Sequence, residues 1–443
     1  MKEHKIPFRI KVLFTEISSS EIIRMARLNG DKSSWSRQRD MPLHDILTCT
    51  LAKKGLSTAM EVRQYFKAIG KEEQTISKQG YLQQRQKLNP EVFTMLNRNY
   101  LRRFYDGEEA VCWNGYLVFA VDGSRAEIPN SAENRKEYGV SRNQHGEAVA
   151  RADVNALYDV YNRFLINIVI GQYNTSEIEE AKAHIGSLKE IVGEKPVLMV
   201  FDRYYASMEF LDILEKAGIK YLVRVQKGAY KAELEQMHEE DEGIELFYTK
   251  HRLRTLRHSE PERLKELKEK GSVQVRIIRA ELDNGEPVVW MTNVLEGSAE
   301  DIQKLYRKRW TIEQKYHTLK NKMKFESVTG KASIYVKQDF WAQVLVFNMI
   351  QDLVTAAEER AQKKAKSKKY LYDVRINENM AIGLFKEQFI RLMMIEEDCK
   401  QKEMSLKLIS DIEQYIVPIR TLKNAPRKPR KSNKYKCNQK PTF

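Results

Sequence analysis

The residues that could do chemistry in this chain are three acids far apart in sequence and a set of polar neighbours beside one of them. Tyr306, Arg309, Glu313 and Lys320 lie in DIQKLYRKRWTIEQKYHTLKNKM, whose apolar spacing predicts one continuous helix. At roughly 100° per residue these four project into one arc about 60° wide over about 20 Å of helix. A tyrosine, a guanidinium, a carboxylate and an ammonium on one face suit a surface that holds a metal ion and grips phosphates on either side of it. Ile302, Leu305, Ile312, Tyr316 and Leu319 form a separate stripe, the face expected to be buried.

Asp122 and Asp202 are the other two acids. Each follows a solid apolar run, residues 117–121 and 197–201, the mark of a strand covered on both faces. If these strands are parallel neighbours, the aspartates sit side by side at their carboxyl ends, where open α/β sheets place their chemistry. In-line cleavage of a phosphodiester puts charge on both the entering and the leaving oxygen, and two divalent ions about 3.5–4 Å apart can stabilise both. A few carboxylates with water and substrate phosphate suit Mg2+, with Mn2+ as its substitute, better than any His or Cys cluster here. On this reading Asp122, Asp202 and Glu313 hold the metal. Arg309, as a bidentate fork, and Lys320, as a point charge, position the strand, and Tyr306 donates to phosphate or stacks on a base. Arg203 is either a further phosphate contact or an ordinary surface arginine. No GxSxG, GxxxxGK[ST], HExxH or paired-cysteine motif is present, so serine hydrolase, P-loop and zinc-enzyme readings have no motif support.

The elements that must position these groups follow from pattern. After the first strand, residues 149–158 and 163–172 read as an antiparallel hairpin joined by the polar connection 159–162. A helix over 176–192 follows, with Glu177, Glu179 and Glu180 in its first turn, where negative charge suits the dipole. Then come the strand ending at Asp202, a helix over 208–217 and a strand over 221–225, completing an α/β sheet. Residues 227–300 interrupt this with a charged, mostly β segment: a short helix over 260–270 and strands 273–282 and 288–294 around Asn284-Gly285, a hairpin signal. Within it Lys250, Arg252, Arg254 and Arg257 either reach DNA or form a solvated loop, and Trp290 either stacks on a displaced base or is a core tryptophan. Residues 339–360 read as a long apolar helix expected to pack against the sheet.

Lys and Arg number 76 against 61 acids, a formal charge of +15 on 443 residues, which makes a polyanion the expected partner. Residues 1–108 look helical. ISKQGYLQQRQKLNPEVFTMLNRNYLRRF sets Lys78, Arg85 and further cations among periodic hydrophobics, either a DNA-binding surface or a solvated basic face. The end of the chain, 420–443, has no acid and many cations, the make-up of a segment that holds DNA nonspecifically. Cys49, Cys112, Cys399 and Cys437 are scattered, pointing to reduced thiols in a cytoplasmic, nucleoid-associated protein; no apolar run predicts a signal peptide or membrane span.

The spacing of Tyr306, Arg309, Glu313 and Lys320 resembles the YREK signature of IS4-type insertion-sequence transposases. Asp122-Gly123-Ser124, Leu157-Tyr158-Asp159 with Asn162, and Asp202-Arg203 resemble other segments of that family, over about residues 117–345. The resemblance implies an α/β, RNase H-like core of the DDE group, with Asp122, Asp202 and Glu313 as its metal-binding triad and Tyr306, Arg309 and Lys320 on the terminal DNA phosphates. It implies a helical DNA-binding domain over 1–108, a core over 109–226 and 301–360 split by the β segment 227–300, and a helical, basic region over 361–443. It further implies a homodimer that cuts double-stranded DNA at terminal inverted repeats and joins the ends to a target. A nuclease that only hydrolyses DNA, or a noncatalytic DNA-binding descendant, are the alternatives. The sequence departs from the family at Tyr204, where glycine is usual.

Overall fold

The computed structural model describes residues 5–36, 40–74, 76–142, 146–253, 256, 260–282 and 285–420. Arg254, Arg257, Asn284, Cys437 and the basic tail from residue 421 lie outside the described residues. The chain is a mixed α/β protein folded as two units. Met1–Glu109, Ala126–Ala152 and His317–Phe443 form the first, Ala110–Arg125 and Asp153–Tyr316 the second.

The sheet is made of β1 (Leu117–Glu127), β2 (Val140–Arg142), β3 (Ala148–Asp159), β4 (Leu165–Gln172), β5 (Val197–Phe201), β6 (Lys220–Arg224), β7 (Asp241–Phe247), β8 (Ser272–Glu281) and β9 (Pro287–Thr292). Its order is β2-β3-β1-β5-β6-β9-β8-β7, with β4 also on β3. As their apolar runs predict, β5 is buried along its length and β1 over its first five residues. These two strands pair in parallel, Leu117 opposite Val197 and Ala120 opposite Val200. Helix Glu177–Val192 packs on β4 and helix Met208–Lys216 on β6, which buries the apolar faces of both strands. Beyond β6 the sheet turns antiparallel: β9 runs against β6, β8 against β9 and β7 against β8. The charged segment after residue 226 thus feeds strands into the same sheet. Around Asn284-Gly285, Glu281 stands opposite Pro287 and Gly285 has a φ of +77°, the left-handed backbone that a tight hairpin needs.

The stretch predicted as one helix is three pieces, Ala299–Lys308, Thr311–His317 and the π turn Thr318–Lys322. A capping box opens it, Ser298 accepting from the Asp301 N–H while Asp301 accepts from the Ser298 N–H. At the first break the Arg309 N–H donates to Tyr306 O at 3.0 Å and the Trp310 N–H to Arg307 O at 3.3 Å, i→i−3 bonds that tighten the turn. The π turn inserts a residue, so counting 100° per residue loses phase between Glu313 and Lys320. The apolar stripe holds nonetheless: Ile302, Leu305, Ile312, Tyr316 and Leu319 are all buried.

The first unit is organised around the helix Ser333–Ser367. Its main partners are the helices Asp398–Glu413, Glu91–Tyr105 and Leu43–Leu51 and the short strand Val374–Ile376, where the sequence suggested the large sheet. Length and composition would let it cross a membrane, but 89% of its apolar window is buried, as in a core helix. Two buried acids on it gather cations from the N-terminal helices. Asp339 accepts from Arg85 at 2.7 Å, Lys53 at 3.1 Å and the Thr329 hydroxyl at 2.6 Å. Asp352 accepts from Arg9 at 2.8 Å and Tyr100 at 2.8 Å.

Near this core Lys386 is buried, its ammonium donating to Lys53 O at 2.9 Å, Met323 O at 3.3 Å and Gln343 Oε1 at 3.3 Å. Burial, reinforced by Lys53, pushes Lys386 down to about 7. Above that pH the folded side chain is neutral while the unfolded one stays protonated, so the unfolded state binds more protons and stability rises with pH. In Lys386→Met this contribution is removed. The difference in urea midpoint, wild type minus variant, is therefore expected to climb between about pH 7 and pH 10; a flat difference would show that Lys386 stays charged.

Candidate active site

Asp122 and Asp202 are placed by the β1–β5 register. The paired register ends at Ala120 opposite Val200, and each aspartate follows two residues later, so the carboxylates leave adjacent strands at the same level, about 4.8 Å apart in backbone spacing. Asp122 lies inside β1, whereas Asp202 opens the short 3-10 turn Arg203–Tyr205 and accepts the Tyr204 N–H at 2.7 Å. Tyr204 has an ordinary negative φ and is exposed, so the turn accommodates it without strain.

Arg309 draws the third acid in. Its Nη2 donates to Glu313 Oε1 at 3.2 Å, and its Nη1 stands 3.5 Å from Asp122 Oδ1. The guanidinium is 5% exposed, and neither Nε nor Nη1 has a hydrogen-bond acceptor. Tyr306 is buried with its ring between Trp290, 5.7 Å away, and Arg309, 5.9 Å away. Burial pushes the Asp122 carboxyl up to about 7; Arg309 pulls it down, and Glu313, Asp202 and Glu177 push it further up. Arg309 itself, though burial works against its charge, is held above its ordinary value by Tyr306, Asp122, Glu313 and Asp202. The site is therefore a crowd of oxygens around one cation, suited to hard divalent ions and to phosphate.

The structure brings together Asp122, Asp202, Glu313, Arg309 and Tyr306, all in the second unit. Lys320 belongs to the first unit, its ammonium 3.8 Å from Glu326. Arg203 and Lys78 are exposed. Two residues proposed to touch DNA are placed otherwise. Trp290 is 1% exposed on β9 with its ring against Tyr306, a core tryptophan with no face left for a base. Arg85 is 0% exposed, its Nε donating to Gln338 and its Nη2 to Asp339, so it serves the interior of the first unit.

Three features were missed in the sequence. Tyr316, assigned to the apolar stripe, donates to Asp122 O at 2.8 Å and lies 3.1 Å from Val154 O, tying helix Thr311–His317 to β1 and β3. Glu177 crowds Gly123, where a Cβ would meet its carboxyl carbon at 2.9 Å. Glu180, read only as a first-turn charge suiting the helix dipole, is buried. The one available signal was glycine at positions 123 and 171 within strands, which often marks close approach.

A family model described as the transposase DDE domain matches residues 113–349. The chain is 22% identical over 278 residues to the transposase InsG for insertion sequence element IS4 of Escherichia coli (strain K12), covering 61% of this chain. The chain spans about 59% of the length of that curated relative. Among solved structures, a cryo-EM structure of the piggyBac transposase synaptic complex with hairpin DNA aligns with a TM-score of 0.45 at 9% identity, over 94% of this chain and 86% of that one.

Proposed function

Because this chain belongs to the transposase DDE domain family, we propose that it cuts the ends of a DNA element and joins them to target DNA by metal-assisted in-line transesterification. The observation that carries this is the pair Asp122 and Asp202 at matching positions beyond the parallel β1–β5 register, with Glu313 linked to Asp122 through Arg309. On this proposal the strands β4-β3-β1-β5-β6 are an RNase H-like core, β7–β9 are its insertion, and residues 1–108 and 361–443 grip DNA.

The donor set suits Mg2+ or Mn2+, being all carboxylate oxygen, and the burial and the repulsion from neighbouring acids that raise Asp122 are what a divalent ion offsets. Among the described residues no three acid, imidazole or thiol groups already surround one point as ligands, and the Arg309 guanidinium lies between Asp122 and Glu313. Asp122, Asp202 and Glu313 would hold the ion once that guanidinium turns towards DNA. When bound, the ion would stabilise charge on the attacking and leaving oxygens. Arg309 would present its Nε and Nη1 donors to a phosphate, Tyr306 would hold the guanidinium in place, and Tyr316 would fix the height of the Glu313 helix over β1. Lys320, Arg203 and Lys78 would add charge along the DNA backbone.

Double-stranded DNA carrying element ends, a target duplex and a second copy of the chain are the partners in this scheme, which acts at the nucleoid. The test is a supercoiled plasmid bearing the inverted repeats that flank the coding region, incubated with the full chain and Mg2+. Cleaved ends joined to a target are the expected product. Hydrolysis without joining would make it a nuclease, and end binding without metal-dependent cutting would make it a noncatalytic DNA-binding protein.

A further inference from the structure

A second set of acids lies on the far side of Gly123 from Asp122 in sequence. A cleft of about 390 Å³ has Gly123, Arg125, Asp153, Asn174, Glu177 and Glu180 among its lining residues. Glu180 is only 4% exposed, and neither of its carboxylate oxygens has a hydrogen-bond partner. Asp153 accepts the Asn174 N–H at 2.7 Å through Oδ2, while its Oδ1 has no partner. The charges that act on Glu180 are Asp153 and Glu177, both acids. Arg125 also lines the cleft, its guanidinium over the Tyr173 ring at 5.1 Å.

A buried carboxylate without a donor is costly, and one facing two more carboxylates is costlier still. The backbone nevertheless makes room for it. A Cβ at Gly171 would lie 2.1 Å from Glu180 Oε1, so the glycine on β4 leaves the space this carboxylate occupies. Gly171 has no positive φ, so its conformation alone does not call for glycine.

We propose that Glu180, Asp153 and Glu177 form a binding site for a hydrated divalent cation, separate from the Asp122–Asp202–Glu313 set. Mg2+ commonly keeps several waters and takes only one or two carboxylates directly, so a roomy cleft fits it although no three acids among the described residues stand as ready ligands. The ion neutralises the crowd beside Gly123 and steadies the β1 segment that carries Asp122. The choice of ion rests on the proposed function; the existence of the site does not.

The experiment counts Mn2+ bound to the full chain without DNA, by electron paramagnetic resonance titration, in wild type, Glu180→Gln, Gly171→Ala and Asp202→Asn. Glu180→Gln is near-isosteric and removes a buried charge, so it is expected to fold and, in EDTA, to melt higher than wild type. It should weaken one Mn2+ site by roughly tenfold to a hundredfold, the loss typical when support for a bound metal is removed, and Gly171→Ala should do the same by displacing the carboxylate. Asp202→Asn should leave that site intact. Unchanged Mn2+ binding in Glu180→Gln overturns the proposal, whatever Asp202→Asn does. Loss in Glu180→Gln with no change in Asp202→Asn supports the cleft.

Discussion

Asp202→Asn is expected to lower metal-dependent strand cleavage by about a thousandfold or more, with Asp122→Asn and Glu313→Gln doing the same. A divalent ion supplies several kcal/mol of charge stabilisation to an in-line displacement, and each 1.36 kcal/mol is tenfold in rate. Asp202 is the cleanest of the three to change. Its side chain accepts the Tyr204 N–H through Oδ1, which asparagine keeps, so the turn after β5 should survive. Glu313 has a side chain 45% exposed and paired with Arg309, so glutamine there should also leave the fold intact. The measurement is nicking of end-bearing DNA over a Mg2+ titration, with end binding followed in parallel by gel shift. Cleavage at the wild-type rate by any one variant removes that residue from the ligand set.

Arg309→Ala is expected to weaken capture of precleaved ends, and with it strand transfer, by about tenfold to a hundredfold. That is the range for losing a charge-assisted hydrogen bond of roughly 1.5–3 kcal/mol. The reason lies in the two guanidinium nitrogens, Nε and Nη1, that are buried without an acceptor while Nη2 is engaged by Glu313. Buried donors left open beside a set of acids are the arrangement a phosphate would complete. The same substitution leaves Asp122 and Glu313 without their shared cation, so the variant should melt lower than wild type in EDTA and gain more from added Mg2+. Arg309→Lys keeps the charge but loses the fork, and should restore stability better than strand transfer. Normal transfer by Arg309→Ala would end the phosphate assignment. A Mg2+ response equal to that of wild type would mean the guanidinium does not stand in for the ion.

Much of the sheet was legible because strand burial is written in local pattern. Two solid apolar runs ending in aspartate gave β1 and β5, whose parallel pairing the sequence left as a condition and the structure meets, and the stripe from Ile302 to Leu319 gave the buried face of the Glu313 helix. The break at Arg309 and the π turn at Thr318–Lys322 were not legible, since both are tertiary adjustments within a segment whose propensities are helical throughout. Arg85 and Trp290 misled for a related reason. Composition predicts that arginine is exposed, and only a partner 254 residues away, Asp339, makes its burial affordable.

The sequence alone determined which residue types were available, their alternation and their order, and so the strand ends that carry Asp122 and Asp202 and the helix that carries Glu313. Tertiary structure alone decided which charges are neutralised and by whom. Arg309 between Asp122 and Glu313, Glu180 turned inward beside Gly171 and Arg85 locked on Asp339 all depend on approach between distant segments. Electrostatic energy depends on separation and burial, and neither quantity is encoded in spacing along the chain.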